Sequence, residues 1–176
     1  QIPFLAINHL EGHDLTARLT NQLDFPYLLL LVSGGHSQIL IVKDVGSYKL
    51  LGTTLDDAVG EAFDKIAKLL GIDMPGGPNL EKLALTGDPE KYRFPRPLLG
   101  RPDCNFSLSG LKTAVRYKIN QLCNISSQDK ADISASFQKA VCDVIVDRCA
   151  NAIDKCRLDF SKSFSFVAAG GVASNK

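Results

Sequence analysis

Residues 27–43 read YLLLLVSGGHSQILIVK, two apolar runs on either side of Ser33-Gly34-Gly35. Apolar segments of strand length flanking a glycine turn predict a β-hairpin. The first of them, Tyr27 to Val32, is the longest uninterrupted apolar run in the chain. It falls far short of the roughly 20 residues that cross a bilayer. The hairpin therefore belongs to a globular core, and the 176 residues suffice for one domain or two small lobes.

Around the hairpin the pattern alternates between strands and helices. Phe4 to Ile7 reads as a short buried strand, Asn8 as a helix cap, and residues from about His9 to Leu19 as a helix. Phe25-Pro26 opens the hairpin, and a third strand is expected near Tyr48 to Leu51. A helix is predicted over Asp56 to Leu70. Its apolar face is Val59, Phe63, Ile66, Ala67 and Leu70, and Gly71 is placed to end it. Asp57, Glu61, Asp64 and Lys68 share the opposite, polar face. Gly60 inside this helix costs about 1 kcal/mol against alanine, which points to a close neighbour there. MPGGPN reads as a loop, Leu80 to Leu85 as a short helix, and Thr86 to Phe106 as irregular surface rich in Pro, Gly and Arg. Helices are expected over Leu108 to Leu122 and Asp129 to Arg157, the second with Ile133, Phe137, Val141, Val144 and Ile145 facing inward. SFSFVAAGGVASN is a strand running into a glycine turn.

With a net charge of +1, no global field draws the chain to nucleic acid or membrane, although a local basic patch remains open. The five cysteines contain no C-x-x-C pair. Cys142, Cys149 and Cys156 recur every seven residues, so they are expected to share one helix stripe as buried, reduced thiols. The chain begins at Gln1 and stops at Lys176, just past a glycine turn, and is expected to be part of a longer protein.

Several stretches can carry chemistry, and each has a plain structural alternative. His9 and His13 lie four apart, on one face of a helix, where two imidazoles can share a divalent metal. They can equally be surface or capping residues, because a metal needs three or four ligands. The residue after His9 is Leu10, and Glu11 is one place late for the H-E-x-x-H protease pattern. Ser33-Gly34-Gly35 and Pro75-Gly76-Gly77-Pro78 are turns first, and ligand loops if backbone amides meet an anion or sugar. Asp64 is a solvated carboxylate or a holder of ligand hydroxyls. Gly170-Gly171 with Ala173-Ser174-Asn175 follows a strand and can bind a phosphate or nucleoside, though it is neither a Walker loop nor G-x-G-x-x-G. Ser109 reads as a helix cap, and with Ser107, Lys112 and Thr113 it can also meet an anion. Lys91, Arg93, Arg96 and Arg101 form a solvated face or touch phosphates.

In this order the motifs NHLEGH, LLVSGGHSQ, DDAVGEAFDKIAKLLG, PGGP, FSLSGLKT and AGGVASN resemble those of the universal tRNA threonylcarbamoyladenosine-forming family, in its bacterial form. An older label for the same family is O-sialoglycoprotein endopeptidase, or glycoprotease. The resemblance covers nearly the whole chain. It implies an α/β chain with the actin-like ATPase fold shared by sugar kinases, actin and heat-shock chaperones, a mixed sheet with flanking helices, incomplete in this chain. Residues 1–26 would close the first lobe and residues 27–176 would form the second, truncated before its C-terminal end. The implied reaction moves a threonylcarbamoyl group from threonylcarbamoyl-AMP to N6 of a tRNA adenosine next to the anticodon. His9 and His13 match the family's metal-binding motif for one divalent metal, iron ahead of zinc. The third ligand, an aspartate, is expected beyond Lys176, so the fragment alone is expected to be inactive. Substrate-binding positions map onto Leu31, Val32, Ser33, Gly34, Gly35, Asp64, Gly77 and Asn175, with Glu81 matching an acid found in some members. Implied partners are tRNA, a paralogous actin-like subunit and a small ATPase, in the cytoplasm with no membrane. Association between copies is expected if surface is left uncovered. No residue is assigned as a general base. Competing readings are a metalloendopeptidase, a non-catalytic nucleotide-binding partner of the same fold, and a sugar or acyl kinase.

Overall fold

A computed structural model describes residues 3–4, 9–159 and 163–175. In chain order the elements are α1 (His9–Thr20), β1 (Tyr27–Val32), β2 (Ser37–Asp44), β3 (Ser47–Thr53), α2 (Val59–Leu70), α3 (Gly76–Ala84), α4 (Ser109–Gln121), α5 (Ser127–Asp159) and β4 (Ser165–Ala169), then a 3₁₀ turn at Gly171–Ser174. The strand expected from Phe4 and the cap expected at Asn8 lie outside the described residues, apart from Phe4 itself, which is exposed.

The strands form one mixed sheet in the order β3-β2-β1-β4. The hairpin is as expected, with Val32 opposite Ser37 and Tyr27 opposite Val42 in antiparallel register. β4 returns parallel to β1, Tyr27 facing Ser165 and Leu31 facing Ala169. Every residue of β1 is buried, because both faces of this central strand are covered. Leu28, Leu30 and Val32 point into the main core with α2, α4 and α5. Tyr27, Leu29 and Leu31 point the other way, under Leu10 of α1, Leu23 and Phe25. Each such side chain contributes about 2 kcal/mol by leaving water.

Helix starts differ from expectation for local reasons. α2 begins at Val59, three residues late, because Asp56 and Asp57 are recruited elsewhere. The Val59 amide donates to Ser37 Oγ at 2.8 Å and the Gly60 amide to the Ser33 carbonyl at 3.3 Å. The hairpin thus supplies acceptors that the first turn of α2 needs. α3 begins at Gly76, so the expected PGGP loop is in fact its first turn. α5 begins two residues early. Ser126 and Asp129 cap it reciprocally, the Asp129 amide donating to Ser126 Oγ at 3.0 Å and the Ser126 amide to Asp129 Oδ2 at 3.0 Å.

The 86–106 segment is irregular, as expected, but it is not simply surface. Phe94, Cys104 and Phe106 are buried. The polar side of α5 holds the segment at successive turns. Asp132 accepts from the Asp88 amide at 2.9 Å, and Asp143 accepts from Arg96 Nε at 2.9 Å. Fully buried Arg148 donates to the Asp103 carbonyl at 3.0 Å while paired with Asp147, and Asn151 donates to the Arg101 carbonyl at 2.6 Å. Arg96 is therefore engaged within the fold and is not a free cation. The cysteine stripe also needs correction: Cys149 and Cys156 are buried, Cys142 is exposed. A seven-residue spacing drifts by about 20° per repeat on a straight helix, enough to carry one thiol off the buried side. Burial pushes the Cys149 and Cys156 thiols up to about 11.

Two adjacent aspartates join α2 to α4. Asp56 receives the Ser107 hydroxyl at 2.6 Å, the Leu108 amide at 2.7 Å and the Ser109 hydroxyl at 2.7 Å. The anion at the start of α4 is thus the chain's own carboxylate. Leu108, not Ser109, occupies the cap position. Asp57, expected on a polar helix face, is nearly buried between Lys112 at 2.5 Å and Lys65 at 2.6 Å. Burial pushes both carboxyls up. Hydrogen bonds from Ser107, Leu108 and Ser109 on Asp56, and from Lys112 and Lys65 on Asp57, outweigh burial and hold both below the ordinary carboxylate range.

Two measurements check this framework. A methyl group at Gly60 would lie 2.7 Å from the Gly34 Cα and 2.8 Å from the Ser33 carbonyl oxygen, both backbone atoms. Gly60→Ala should therefore destabilise by about 1–3 kcal/mol, where an unobstructed helical site would gain about 1 kcal/mol; a gain in thermal melting would refute the close packing. Because the folded-state pKa of Asp57 is depressed, its contribution is present above the unfolded value of about 3.9 and is lost as pH falls through the folded value. Asp57→Asn should cost about 2 kcal/mol at neutral pH, and melting curves of variant and wild type should converge near pH 3 or below.

Candidate functional site

α2, α3 and the segment after β4 enclose a cleft of about 200 Å³. The hairpin turn forms one wall. The Ser33 amide donates to the His36 carbonyl at 2.8 Å and the His36 amide to Ser33 Oγ at 3.1 Å, which fixes the turn and presents the Gly34 backbone to the cleft. Asp64 lies one turn beyond Gly60 on the same side of α2. α3 runs so close to Asp64 that a Cβ at Gly76 would be 2.7 Å from its Oδ1. That approach sets Gly77, Pro78 and Glu81 along the opposite wall. After β4 the chain turns at Gly170 with φ 99°, a conformation that favours glycine, and the 3₁₀ turn brings Ser174 and Asn175 to the rim.

The cleft pairs an apolar floor, Phe63 and Val172, with two carboxylates, Asp64 and Glu81, and bare glycine backbone at Gly34, Gly60, Gly77 and Gly171. An apolar floor suits a flat ring, and carboxylates accept hydrogen bonds from sugar hydroxyls. Pockets that enclose a whole ligand run from about 300 Å³ upward, so this cleft takes part of a ligand and leaves the rest outside.

Across the sheet, α1 carries the histidine pair. The rings of His9 and His13 are 4.6 Å apart, centroid to centroid, and edge to face. The helix is held by the Tyr48 hydroxyl, which donates to Glu11 at 3.2 Å, and by Arg18, which donates to the Leu23 carbonyl at 3.1 Å and lies 3.9 Å over the Phe25 ring. Two imidazoles this close on one face suit a shared divalent metal. Among the described residues no group of three or more His, Cys, Asp or Glu side chains that could hold a metal ion converges. His13 also lines a groove against β4, together with Thr16, Ala168, Gly170 and Ser174. Ser174 lines both this groove and the cleft, so the two depressions meet there.

Of the positions expected from sequence, Gly34, Asp64, Gly77 and Asn175 come together in the cleft. Leu31 and Val32 turn their side chains into the two core clusters and offer a ligand no side-chain contact. Ser33 is engaged in the turn, and Gly35 is exposed outside the cleft lining. Sequence reasoning missed Phe63 as floor, Val172 beside it, and Ser174 as the link between the depressions. Phe63 carried only a core signal, since its period places it on the apolar face of α2.

The TsaD family model, described as tRNA N6-adenosine threonylcarbamoyltransferase, matches residues 1–176. A protein of that name from Brucella anthropi is 56% identical over the whole of this chain and half of its own length. Others of the same name from Methylocapsa acidiphila and Methylobacterium nodulans are 58% and 57% identical over 98% of the chain. The chain spans about half the length of these curated relatives. It belongs to the tRNA N6-adenosine threonylcarbamoyltransferase family.

Proposed function

We propose that this chain serves the transfer of a threonylcarbamoyl group from threonylcarbamoyl-AMP to N6 of a tRNA adenosine. One observation carries the reading: Gly34, Asp64, Gly77 and Asn175, distant in sequence, converge on a cleft that meets the His13 groove at Ser174. The cleft takes the adenylate. Asp64 and Glu81 accept from ribose hydroxyls, the glycine backbones allow phosphate to approach, and Phe63 and Val172 underlie the flat ring. The threonylcarbamoyl end extends past Ser174 toward the histidines. His9 and His13 would hold one divalent metal, iron ahead of zinc, which supplies Lewis-acid polarisation of a carbonyl. The adenosine amine forms a new bond to the carbamoyl carbon and loses a proton to solvent, the bond from that carbon to the phosphate oxygen breaks, and AMP leaves with its electron pair. The chain's residues act by positioning, which makes the reaction effectively unimolecular.

The wider frame belongs to the same proposal. Residues 27–176 form much of the second lobe of an actin-like ATPase fold, with residues 1–26 closing the first. A paralogous actin-like subunit and a small ATPase are partners, and the site of action is the cytoplasm. No helix among the described residues is long and apolar enough to cross a membrane. The metalloendopeptidase reading finds no support in Glu11, whose carboxylate accepts from Tyr48.

The test is nucleoside mass spectrometry of tRNA incubated with threonylcarbamoyl-AMP, the protein and its partners. Wild type should form N6-threonylcarbamoyladenosine. Asp64→Ala should weaken adenylate binding about ten- to hundredfold, the cost of a hydrogen bond to a charged group. The double variant His9→Ala, His13→Ala should abolish transfer while leaving adenylate binding intact. Full transfer by both variants would overturn the site assignment.

A further inference from the structure

The cleft does not end at Asp64. From Gly34 and Asp64 it opens into a groove along α2 lined by Lys65 and Lys68, and these two lysines also line a concave face of about 500 Å³ between α2 and α4. Lys112, Thr113 and Arg116 complete that face. The depressions adjoin in turn, sharing Ser174, then Gly34 and Asp64, then Lys65 and Lys68.

Positive charge is left over on the α2–α4 face alone, because the α2 groove also carries Glu61, Asp64 and Asp73. Asp57 and Glu61 offset Lys65 and Lys112 through close ion pairs. Lys68 and Arg116 take part in no salt bridge among the described residues. They leave two positive charges on one face of a chain whose total is only +1. Both are exposed. Beside Arg116 stands Tyr117, 60% exposed, with its ring centroid 5.9 Å from the guanidinium carbon. Cations along a groove with an adjacent open aromatic face are the means by which proteins follow a polynucleotide: charges track phosphates, and an aromatic ring stacks on a base.

We infer that the α2–α4 face binds the phosphodiester backbone of the RNA substrate. This rests on reading the protein as one that acts on RNA. Lys68 and Arg116 contact phosphates, so they contribute affinity without sequence preference. Arg116 stands on α4 outside the cleft lining, whereas Lys68 is one turn from Asp64 on α2.

The experiment is fluorescence anisotropy with a labelled anticodon stem-loop RNA, titrated between about 50 and about 200 mM salt. The double charge reversal Lys68→Glu, Arg116→Glu should lower the log–log salt slope by about 1.5 and weaken binding about tenfold or more, equally for RNAs of different sequence. The neutral pair Lys68→Gln, Arg116→Gln should lower the slope similarly with a smaller loss, and it decides the matter if the reversed variant melts early. Adenylate binding should be unchanged in the single variant Arg116→Glu, whose position lies outside the cleft lining. Unchanged RNA affinity and slope in the folded variants would overturn the inference, as would a wild type that does not bind the RNA. Lost binding of a poly-glutamate probe with RNA affinity intact would assign the face to an acidic protein and overturn it as well. If wild type binds RNA through these residues but transfers nothing, the inference stands and the transferase reading falls. If it transfers while the reversed variant binds RNA normally, the outcome is the opposite.

Discussion

The approach of α2 to the hairpin turn is the constraint on which the rest of the site depends. The helix starts against the turn because the Ser33 carbonyl and the Ser37 hydroxyl accept its first amides. The distance is possible only because residue 60 has no side chain. Once α2 is pinned there, the helical repeat delivers Asp64 to the same side. Gly76 then lets α3 close over Asp64, and Val172 packs against Gly60 from the β4 side. A cleft built by close backbone approach is narrow, which suits a ligand held partly by backbone.

Around that contact the polar chemistry is mostly structural. Asp56 and Asp57 are neighbours in sequence yet do separate tasks, one capping α4 and the other pinning Lys65 and Lys112. α5 spends its polar side on the backbone of the 86–106 segment, which explains how so irregular a stretch can bury Phe94 and Phe106. Carboxylates and cations used in this way are withdrawn from ligand binding. Among the residues not used in this way, Asp64 lies in the cleft, His9 and His13 lie on α1, and Lys68 and Arg116 lie on the basic face.

Much of this was legible in the residues. The hairpin, the glycine that demanded a close neighbour, and the apolar faces of α2 and α5 all follow from spacing. The candidate site was partly legible, since the motifs contain Gly34, Asp64, Gly77 and Asn175, which line one cleft. The failures have one character. Asp57 looks solvated because its two cations, Lys65 and Lys112, lie 8 and 55 residues away and are brought to it by the fold. Ser109 looks like a cap because the competing acceptor, Asp56, is on another loop. Phe94, Cys104 and Phe106 look like surface because they sit among Pro, Gly and Arg; the α5 ladder holds the segment, and backbone bonds to Thr53 and Leu55 fix Phe106.

The sequence by itself therefore determined the elements: helical repeat, strand alternation and glycine placement are properties of contiguous residues, because backbone hydrogen bonds in helices and turns close over a few positions. It also put His9 and His13 on one face, since that is a one-turn relation. Tertiary structure decided which partner each charge meets, which of the cysteines is exposed, and that the histidine groove and the cleft share Ser174. The last of these depends on how β4 returns beside β1 after a long excursion through α2 to α5. That return brings residue 174 to residue 34, and no local pattern encodes a contact between positions so far apart.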